Sequence, residues 1–136
     1  MSKVYLSLGS NLGNKEDNIR MAIEKIEEQI GAVVRQSALL CTEPWGFDSD
    51  NKFVNAAICV ETDISPRELL RRTQRIEREL GRTHKSVNRI YHDRLIDIDI
   101  LLYGDETINE PDLIIPHPLM YDRDFVMIPL REIMAE

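Results

Sequence analysis

A chain of 136 residues, 43% apolar and 30% charged, has the composition of a globular protein and predicts a single domain over residues 1–136. No apolar run approaches the roughly 20 residues needed to cross a bilayer, and the N-terminus shows no signal-peptide pattern, so we expect a cytoplasmic protein without a membrane partner. The net charge of −7 argues against a nucleic-acid binder. Cys41 and Cys59 fall in apolar strand patterns, which predicts two buried free thiols, with a disulfide between them as the alternative.

Basic residues are concentrated in one part of the chain. Residues 67–94 carry nine of the seventeen basic residues and four of the twenty-four acids, which gives this stretch a charge of +5 against −12 for the rest. A compact basic zone predicts a small polyanionic ligand such as a nucleoside triphosphate. The alternative is that these arginines lie on a solvated helix surface and bind no ligand.

The first elements are a strand at 4–8 and a turn at 9–13, where two glycines are free to take positive φ. Asn14 can cap a helix that ends at Gly31. The core stripe of this helix has helical spacing and consists of Ile19, Ala22, Ile23, Ile26 and Ile30.

Two strand patterns follow, at 32–40 and 53–60, with a long loop between them that carries Trp45 and Phe47. Asn55 in the second pattern is either a satisfied polar group or a reader of the donor–acceptor edge of a heterocycle.

A second helix is predicted from Ser65, because Ser65 and Glu68 form a capping box around Pro66. This helix ends at Gly81. Gln74 and Glu77 lie one turn apart on its polar face among arginines, which are either surface ion pairs or a wall facing a nucleotide.

The segment 94–102 reads as a buried strand with strict alternation of apolar residues. Its apolar face consists of Ile96, Ile98, Ile100 and Leu102. The alternation places Asp97 and Asp99 side by side on the other face, roughly 7 Å apart at Cα. Two carboxylates this close raise the cost of ionising both, and a divalent cation removes that cost. Mg²⁺ prefers oxygen ligands and keeps several waters, so the pair leaves room for substrate phosphates. The alternative is that the two aspartates form a solvated polar face on an edge strand and bind no metal.

The remaining residues add a stiff loop and a short apolar run. His117 lies between two prolines, although a lone histidine is more often structural than catalytic. Arg123 directly precedes the run 125–130, in which Pro129 predicts an edge or terminating segment. The predicted order βαββαβ matches a ferredoxin-like α+β sandwich, with two helices packed on one face of an antiparallel sheet.

Several motifs together resemble the 6-hydroxymethyl-7,8-dihydropterin pyrophosphokinases of folate biosynthesis. They are LGSNLG at 8–13, FVNAA at 53–57, QRIE at 74–77, GR at 81–82, DRLIDIDIL at 93–101, IPHP at 115–118 and PL at 129–130. Each is weak alone, but they run in the family's order over nearly the whole chain.

The resemblance implies a ferredoxin-like fold and a Mg²⁺-dependent transfer of pyrophosphate from ATP to the pterin hydroxymethyl group, with release of AMP. It implies two Mg²⁺ ions on Asp97 and Asp99, and roles in the reaction for Arg82 and Arg94. The positions that match those around ATP are Gln74, Glu77, Arg94, Ile100, His117 and Arg123. The positions that match those around the pterin are Thr42, Pro44, Phe53, Asn55 and Phe125, with the two aromatic rings on either side of the substrate ring.

The expected partners are therefore two small molecules and no nucleic acid, and we expect a monomer. Loops 43–52 and 82–94 are predicted to close over the site when both substrates are bound. Residues 90–94 read IYHDR where the family commonly carries a tryptophan-glycine-proline-arginine run, and His84 stands where an arginine is often found, so the roles of His84, Lys85 and Arg89 stay open.

Two other interpretations remain. A ferredoxin-like regulatory module that binds a ligand without chemistry would explain the fold, but not the combination of aspartates, histidine and arginines. A nucleotidyltransferase or an ordinary phosphokinase could use the same metal pair. The products distinguish these enzymes. Release of AMP indicates pyrophosphoryl transfer, release of ADP indicates phosphoryl transfer, and release of free pyrophosphate indicates nucleotidyl transfer.

Overall fold

The computed structural model describes residues 1–42, 52–81 and 95–134. The first half contains β1 (Ser2–Ser10), α1 (Lys15–Gln29), β2 (Ala32–Gln36), β3 (Leu40–Thr42), β4 (Phe53–Thr62) and α2 (Pro66–Gly81). The second half contains β5 (Asp97–Tyr103), β6 (Ile108–Glu110), β7 (Leu113–Ile115), a short 3-10 helix (Met120–Asp122) and α3 (Asp124–Met134). None of the helices in these ranges is long and apolar enough to cross a membrane.

The main sheet is antiparallel and has the strand order β2-β4-β1-β5, with β3 also paired to β4. β1 is central, and it pairs with β4 over all nine of its residues and with β5 on its other side. β6 and β7 form a separate two-stranded hairpin. The predicted ferredoxin-like α+β fold is confirmed, because β1-α1-β2-β4-α2-β5 follows the expected order.

The even-numbered residues of β1 and β4, together with Ile98 and Ile100 of β5, face α1 and α2, as the period of two in a strand requires. Both helix starts are confirmed: the Asn14 side chain accepts a hydrogen bond of 3.2 Å from the Asp17 N–H, and Ser65 Oγ accepts one of 3.2 Å from the Glu68 N–H. The core between these helices and the sheet includes Leu6, Leu8, Ile26, Ile58, Leu69, Ile76, Ile98 and Ile100.

The predicted strand at 32–40 is wrong in its continuity, because the structure divides it into β2 and β3. Ser37 lies at the break and is buried, its N–H donates to the Ala57 carbonyl at 2.9 Å, and its Oγ accepts from the Ala57 N–H at 2.9 Å. A serine side chain that takes over a ladder hydrogen bond ends the regular pairing.

The prediction for residues 125–130 is also wrong, since these residues belong to helix α3 and Pro129 lies inside it. The buried residues of α3 follow helical spacing and are Val126, Pro129, Leu130 and Ile133. They pack on the face of the sheet opposite α1 and α2, against Ala57, Cys59 and Leu101. Burial of this stripe offsets the hydrogen bond that proline cannot donate.

Three smaller expectations are corrected. Gly9 is a paired residue of β1 rather than part of a turn, and the positive-φ glycines among the described residues are Gly13 and Gly104. A register shift between Tyr5 and Leu6 breaks the alternation in β5, so Leu101 is fully buried and Leu102 packs on the α3 side. Cys59 is buried as predicted, but Cys41, in the three-residue strand β3, is exposed.

Candidate active site

Helix α3 covers only part of its face of the sheet. It packs over Ala57, Cys59 and Leu101, while the odd-numbered residues nearer the other end of β1 lie outside that contact. These residues are Ser7 and Gly9 of β1, Asn55 of β4, and Asp97 and Asp99 of β5. Three of the polar side chains singled out in the sequence, those of Asn55, Asp97 and Asp99, therefore lie on one area of one sheet face, which we call the open face because α3 does not cover it.

The strand register aligns the open face in rows. Gly9 is directly opposite Asn55 on one side and Asp97 on the other, and Ser7 is opposite Asp99. Paired residues of antiparallel strands lie about 4.5–5.5 Å apart at Cα, so the Asn55 and Asp97 Cα atoms are separated by about 10 Å. Asn55 and Asp97 are thus separated by a single strand, β1.

The aspartate pair has the chemistry of a Mg²⁺ site. Asp97 and Asp99 are both half-buried, and no group of three or more His, Cys, Asp or Glu side chains in the described ranges is arranged to hold a metal ion. Two carboxylates leave most positions of an octahedral ion to water and phosphate oxygens, which is the usual situation for Mg²⁺ with nucleotides. The residues present fit such an ion.

Glu77 supports the aspartate strand from α2. Its Oε2 accepts a hydrogen bond of 2.7 Å from the Ile98 N–H, on the edge of β5 that does not face β1. Ile100 lies two residues further, so its backbone N–H and C=O point to the same edge, while its side chain is buried in the core. A contact of Ile100 with ATP would therefore use its backbone.

His117 lies beside the aspartates on the loop after β7. Its backbone N–H donates to the Leu101 carbonyl at 3.1 Å, and its ring nitrogen Nδ1 accepts from the Leu119 backbone N–H at 3.3 Å. In the neutral ring the proton is then on Nε2. Burial lowers the pKa of His117 below its usual value of 6.5, and the charge of Arg123 lowers it further, while Asp97 opposes the shift. His117 is thus a neutral hydrogen-bond donor near both Asp97 and Arg123.

Arg123 and Phe125 connect the predicted ATP and pterin groups. Arg123 is 9% exposed, and its guanidinium carbon lies 5.6 Å from the centroid of the Phe125 ring, within the range of a cation–π contact. Phe125 also packs against the core under α3. The Arg123 guanidinium and the Phe125 ring therefore hold each other in place.

The predicted pterin residues of β3 and β4 are in direct contact. Asn55 is 2% exposed and its Nδ2 donates a hydrogen bond of 2.8 Å to Thr42 Oγ1. Phe53, two residues before Asn55, lies on the same face of the sheet and is directly opposite Thr42. The bond to Thr42 fixes the amide, which leaves Asn55 Oδ1 available as an acceptor.

The arginines of α2 mostly serve the fold, which favours the ion-pair interpretation. Arg71 and Arg72 bind Glu68 at 2.9 Å, and Arg75 donates to the Gln29 side chain at 3.1 Å. Gln74 is exposed on the same helix.

Several predicted residues cannot be compared with the structure. Arg82, Arg94 and Pro44 lie outside the described residues, and so do His84, Lys85 and Arg89 and almost all of the two loops expected to close over the site.

The sequence interpretation missed Gly9 and Ser7 as part of the open face. The available signal was the alternation of Leu6, Leu8 and Ser10, which carries the first strand past Gly9.

Comparisons with known proteins identify the family of this chain. Residues 5–135 match the family described as 7,8-dihydro-6-hydroxymethylpterin-pyrophosphokinase. The 2-amino-4-hydroxy-6-hydroxymethyldihydropteridine pyrophosphokinase of Porphyromonas gingivalis is 46% identical over 134 residues, which cover 98% of this chain and 91% of that protein. The enzyme of the same name from Bacillus subtilis is 41% identical over 97% of this chain and 78% of its own length.

A solved structure is also similar in fold. The wild-type HPPK-DHPS of Plasmodium falciparum, solved with STZ-DHP, superposes with a TM-score of 0.79 at 16% sequence identity, and the match covers 99% of this chain and 40% of that longer one. The family match over nearly the whole chain, the two enzymes above 40% identity and the common fold lead to one conclusion. The chain belongs to the 7,8-dihydro-6-hydroxymethylpterin-pyrophosphokinase family.

Proposed function

We propose that this chain transfers pyrophosphate from ATP to the hydroxymethyl group of 6-hydroxymethyl-7,8-dihydropterin, releasing AMP, as a step of folate biosynthesis. Family membership supports the reaction, and the observation that carries its assignment to this site is the row Asn55–Gly9–Asp97 across the central strand. It brings a heterocycle-reading amide within about 10 Å of a metal-binding carboxylate. A bound pterin can then present its hydroxymethyl group to a triphosphate held at the aspartates.

The pterin is proposed to bind at Asn55. Asn55 would pair with the polar edge of the ring, and a wrong ring would leave the buried amide unpaired, which is a strong source of selectivity. Phe53 and Phe125 would stack on the two faces of the ring, at on the order of a kcal/mol for each stacked pair. Thr42 holds the amide in the required orientation through the 2.8 Å hydrogen bond.

The triphosphate is proposed to lie along β5, with Asp97 and Asp99 holding two Mg²⁺ ions. When bound, Mg²⁺ neutralises phosphate charge and favours ionisation of the attacking hydroxyl. His117 would donate from Nε2 to a phosphate oxygen, and Arg123 would add a charge-assisted hydrogen bond. Arg82, Arg94, Gln74 and Glu77 are proposed as further residues around ATP on the strength of the sequence resemblance.

The step itself is a displacement at the β-phosphorus. The pterin hydroxymethyl oxygen forms a bond to this phosphorus as the bond to the oxygen shared with the α-phosphate breaks, and AMP leaves with that oxygen. The hydroxyl proton passes to solvent. The protein contributes alignment of the two oxygens and stabilisation of the developing negative charge, which are the main requirements of such a transfer.

The decisive experiment is product analysis with Mg²⁺, ATP and the pterin. We expect AMP to form only when the pterin is present. ADP, free pyrophosphate or no nucleotide product would contradict the proposal. A single domain over residues 1–136, a cytoplasmic location, a monomeric state and the lack of nucleic-acid binding remain predictions from the sequence.

A further inference from the structure

Gly9 occupies a position where its backbone does not require glycine. It lies within β1, is paired on both sides, and has a φ outside the positive range. Any L-residue could adopt this conformation, and glycine weakens a strand because the chain loses more freedom on folding. The reason for a glycine must therefore be the space above its Cα.

That space is bounded by two residues that we assign to pterin binding. A Cβ at position 9 would lie 3.0 Å from Asn55 Oδ1, and 3.5 Å and 3.8 Å from two carbons of the Phe53 ring. A Cβ added at Gly104 would have no atom within 4 Å, and a Cβ added at Gly81 would have its nearest neighbour at 3.8 Å. Gly31 would meet the backbone carbonyl of Glu61 more closely still, so contact with site side chains, and not crowding as such, distinguishes Gly9 among the described glycines.

Asn55 has little freedom to move away. It is 2% exposed, and its Nδ2 is held by Thr42 Oγ1. Its Oδ1 lies only 3.0 Å from the place that a Cβ at position 9 would take. An amide oxygen held in a fixed place in this way can accept a hydrogen bond from a ligand donor.

We infer that Gly9 is a positioning residue of the pterin subsite, because the missing side chain lets the Asn55 amide and the Phe53 ring converge over the central strand between β4 and the aspartates of β5. This inference rests on the proposed function and adds to it a residue that sets substrate selectivity without a functional group of its own. A methyl group at position 9 displaces the Asn55 amide by a few tenths of an ångström and comes into van der Waals contact with the Phe53 ring, while the aspartates on the neighbouring strand keep their places.

The test compares Gly9→Ala with Gly104→Ala by calorimetric titration with Mg²⁺, a non-hydrolysable ATP analogue and 6-hydroxymethyl-7,8-dihydropterin. Gly104 is a matched control, because it has a positive φ that penalises alanine and lies in a turn beyond the far end of β5. We expect Gly9→Ala to raise the Kd for the pterin about tenfold or more and to leave the Kd for the ATP analogue within about twofold. Gly104→Ala should lower stability and leave both Kd values within about twofold.

A Gly9→Ala protein that is folded and binds the pterin within about twofold of the unmodified chain would overturn the inference while leaving the proposed function intact. If the unmodified chain binds no pterin, the proposed function and the inference both fail. Should Gly9→Ala not fold, the unmodified protein gives the answer by NMR. In the complex with both ligands we expect nuclear Overhauser effects between the Gly9 α-protons and the Phe53 ring protons, and their absence would overturn the inference.

Discussion

The carboxylate of Glu77 accepts a hydrogen bond of 2.7 Å from the backbone N–H of Ile98, the residue between the two aspartates of β5. An outer strand has one edge of unpaired N–H and C=O groups, and such an edge is free to shift or to pair elsewhere. Helix α2 thus fixes the strand that carries Asp97 and Asp99 from the side opposite β1.

Glu77→Ala should weaken both stability and activity. Removing a partner from a partly buried N–H costs about 1–3 kcal/mol, so the free energy of unfolding in urea should fall by that amount. The control is Glu24→Ala on α1, which breaks an exposed ion pair with Arg20 at 3.2 Å and should cost less than about 1 kcal/mol. Equal losses in the two variants would contradict a special role for Glu77.

Asp97→Ala and Asp99→Ala should each abolish turnover, since a single carboxylate holds the metal and the triphosphate poorly. We expect kcat to fall by about a hundredfold to a thousandfold or more, measured as AMP release. Asp105→Ala, in the exposed turn after β5, is the matched control and should retain normal activity. Near-normal turnover in either of the first two variants would argue against the proposed metal site.

Asn55→Ala should lose pterin affinity, because the substrate's polar edge would then be unpaired in a closed site. The expected penalty of about 1–3 kcal/mol corresponds to an increase in Kd of about 5- to 150-fold, with ATP affinity little changed. Asn109→Ala on the exposed hairpin strand β6 serves as the control. An unchanged pterin Kd in Asn55→Ala would remove Asn55 from the substrate site.

His117 should make stability depend on pH. Its pKa in the folded protein is lowered from 6.5, mainly by burial, so the unfolded chain binds more protons in the range between the two values. The stability that neutral His117 contributes is fully present above pH 6.5 and is lost as the pH falls from 6.5 through the lowered pKa of the folded protein. In urea unfolding at about pH 7.5 and about pH 5.5, the unmodified protein should lose more stability than His117→Gln. Equal losses would show that His117 does not contribute.

The helix starts at Asn14 and Ser65 and the aspartate face of β5 were predictable from the sequence, because each depends on neighbours a few residues away. The errors have a common cause in longer-range interactions. Pro129 argues locally against a helix, and α3 forms because its buried stripe packs on the sheet. Leu101 is buried at a register shift that depends on pairing with β1.

The sequence by itself determined the order of elements, the helix caps, the fold class and the residue types of the site, since periodicity and capping are local properties of the chain. Tertiary structure alone decided which of these residues meet. The pairing register of β1 with β4 and β5 sets Gly9 between Asn55 and Asp97, and α3 packs beside that row rather than over it. Register is a relationship between segments far apart in the chain, and it is fixed only when all buried faces pack together.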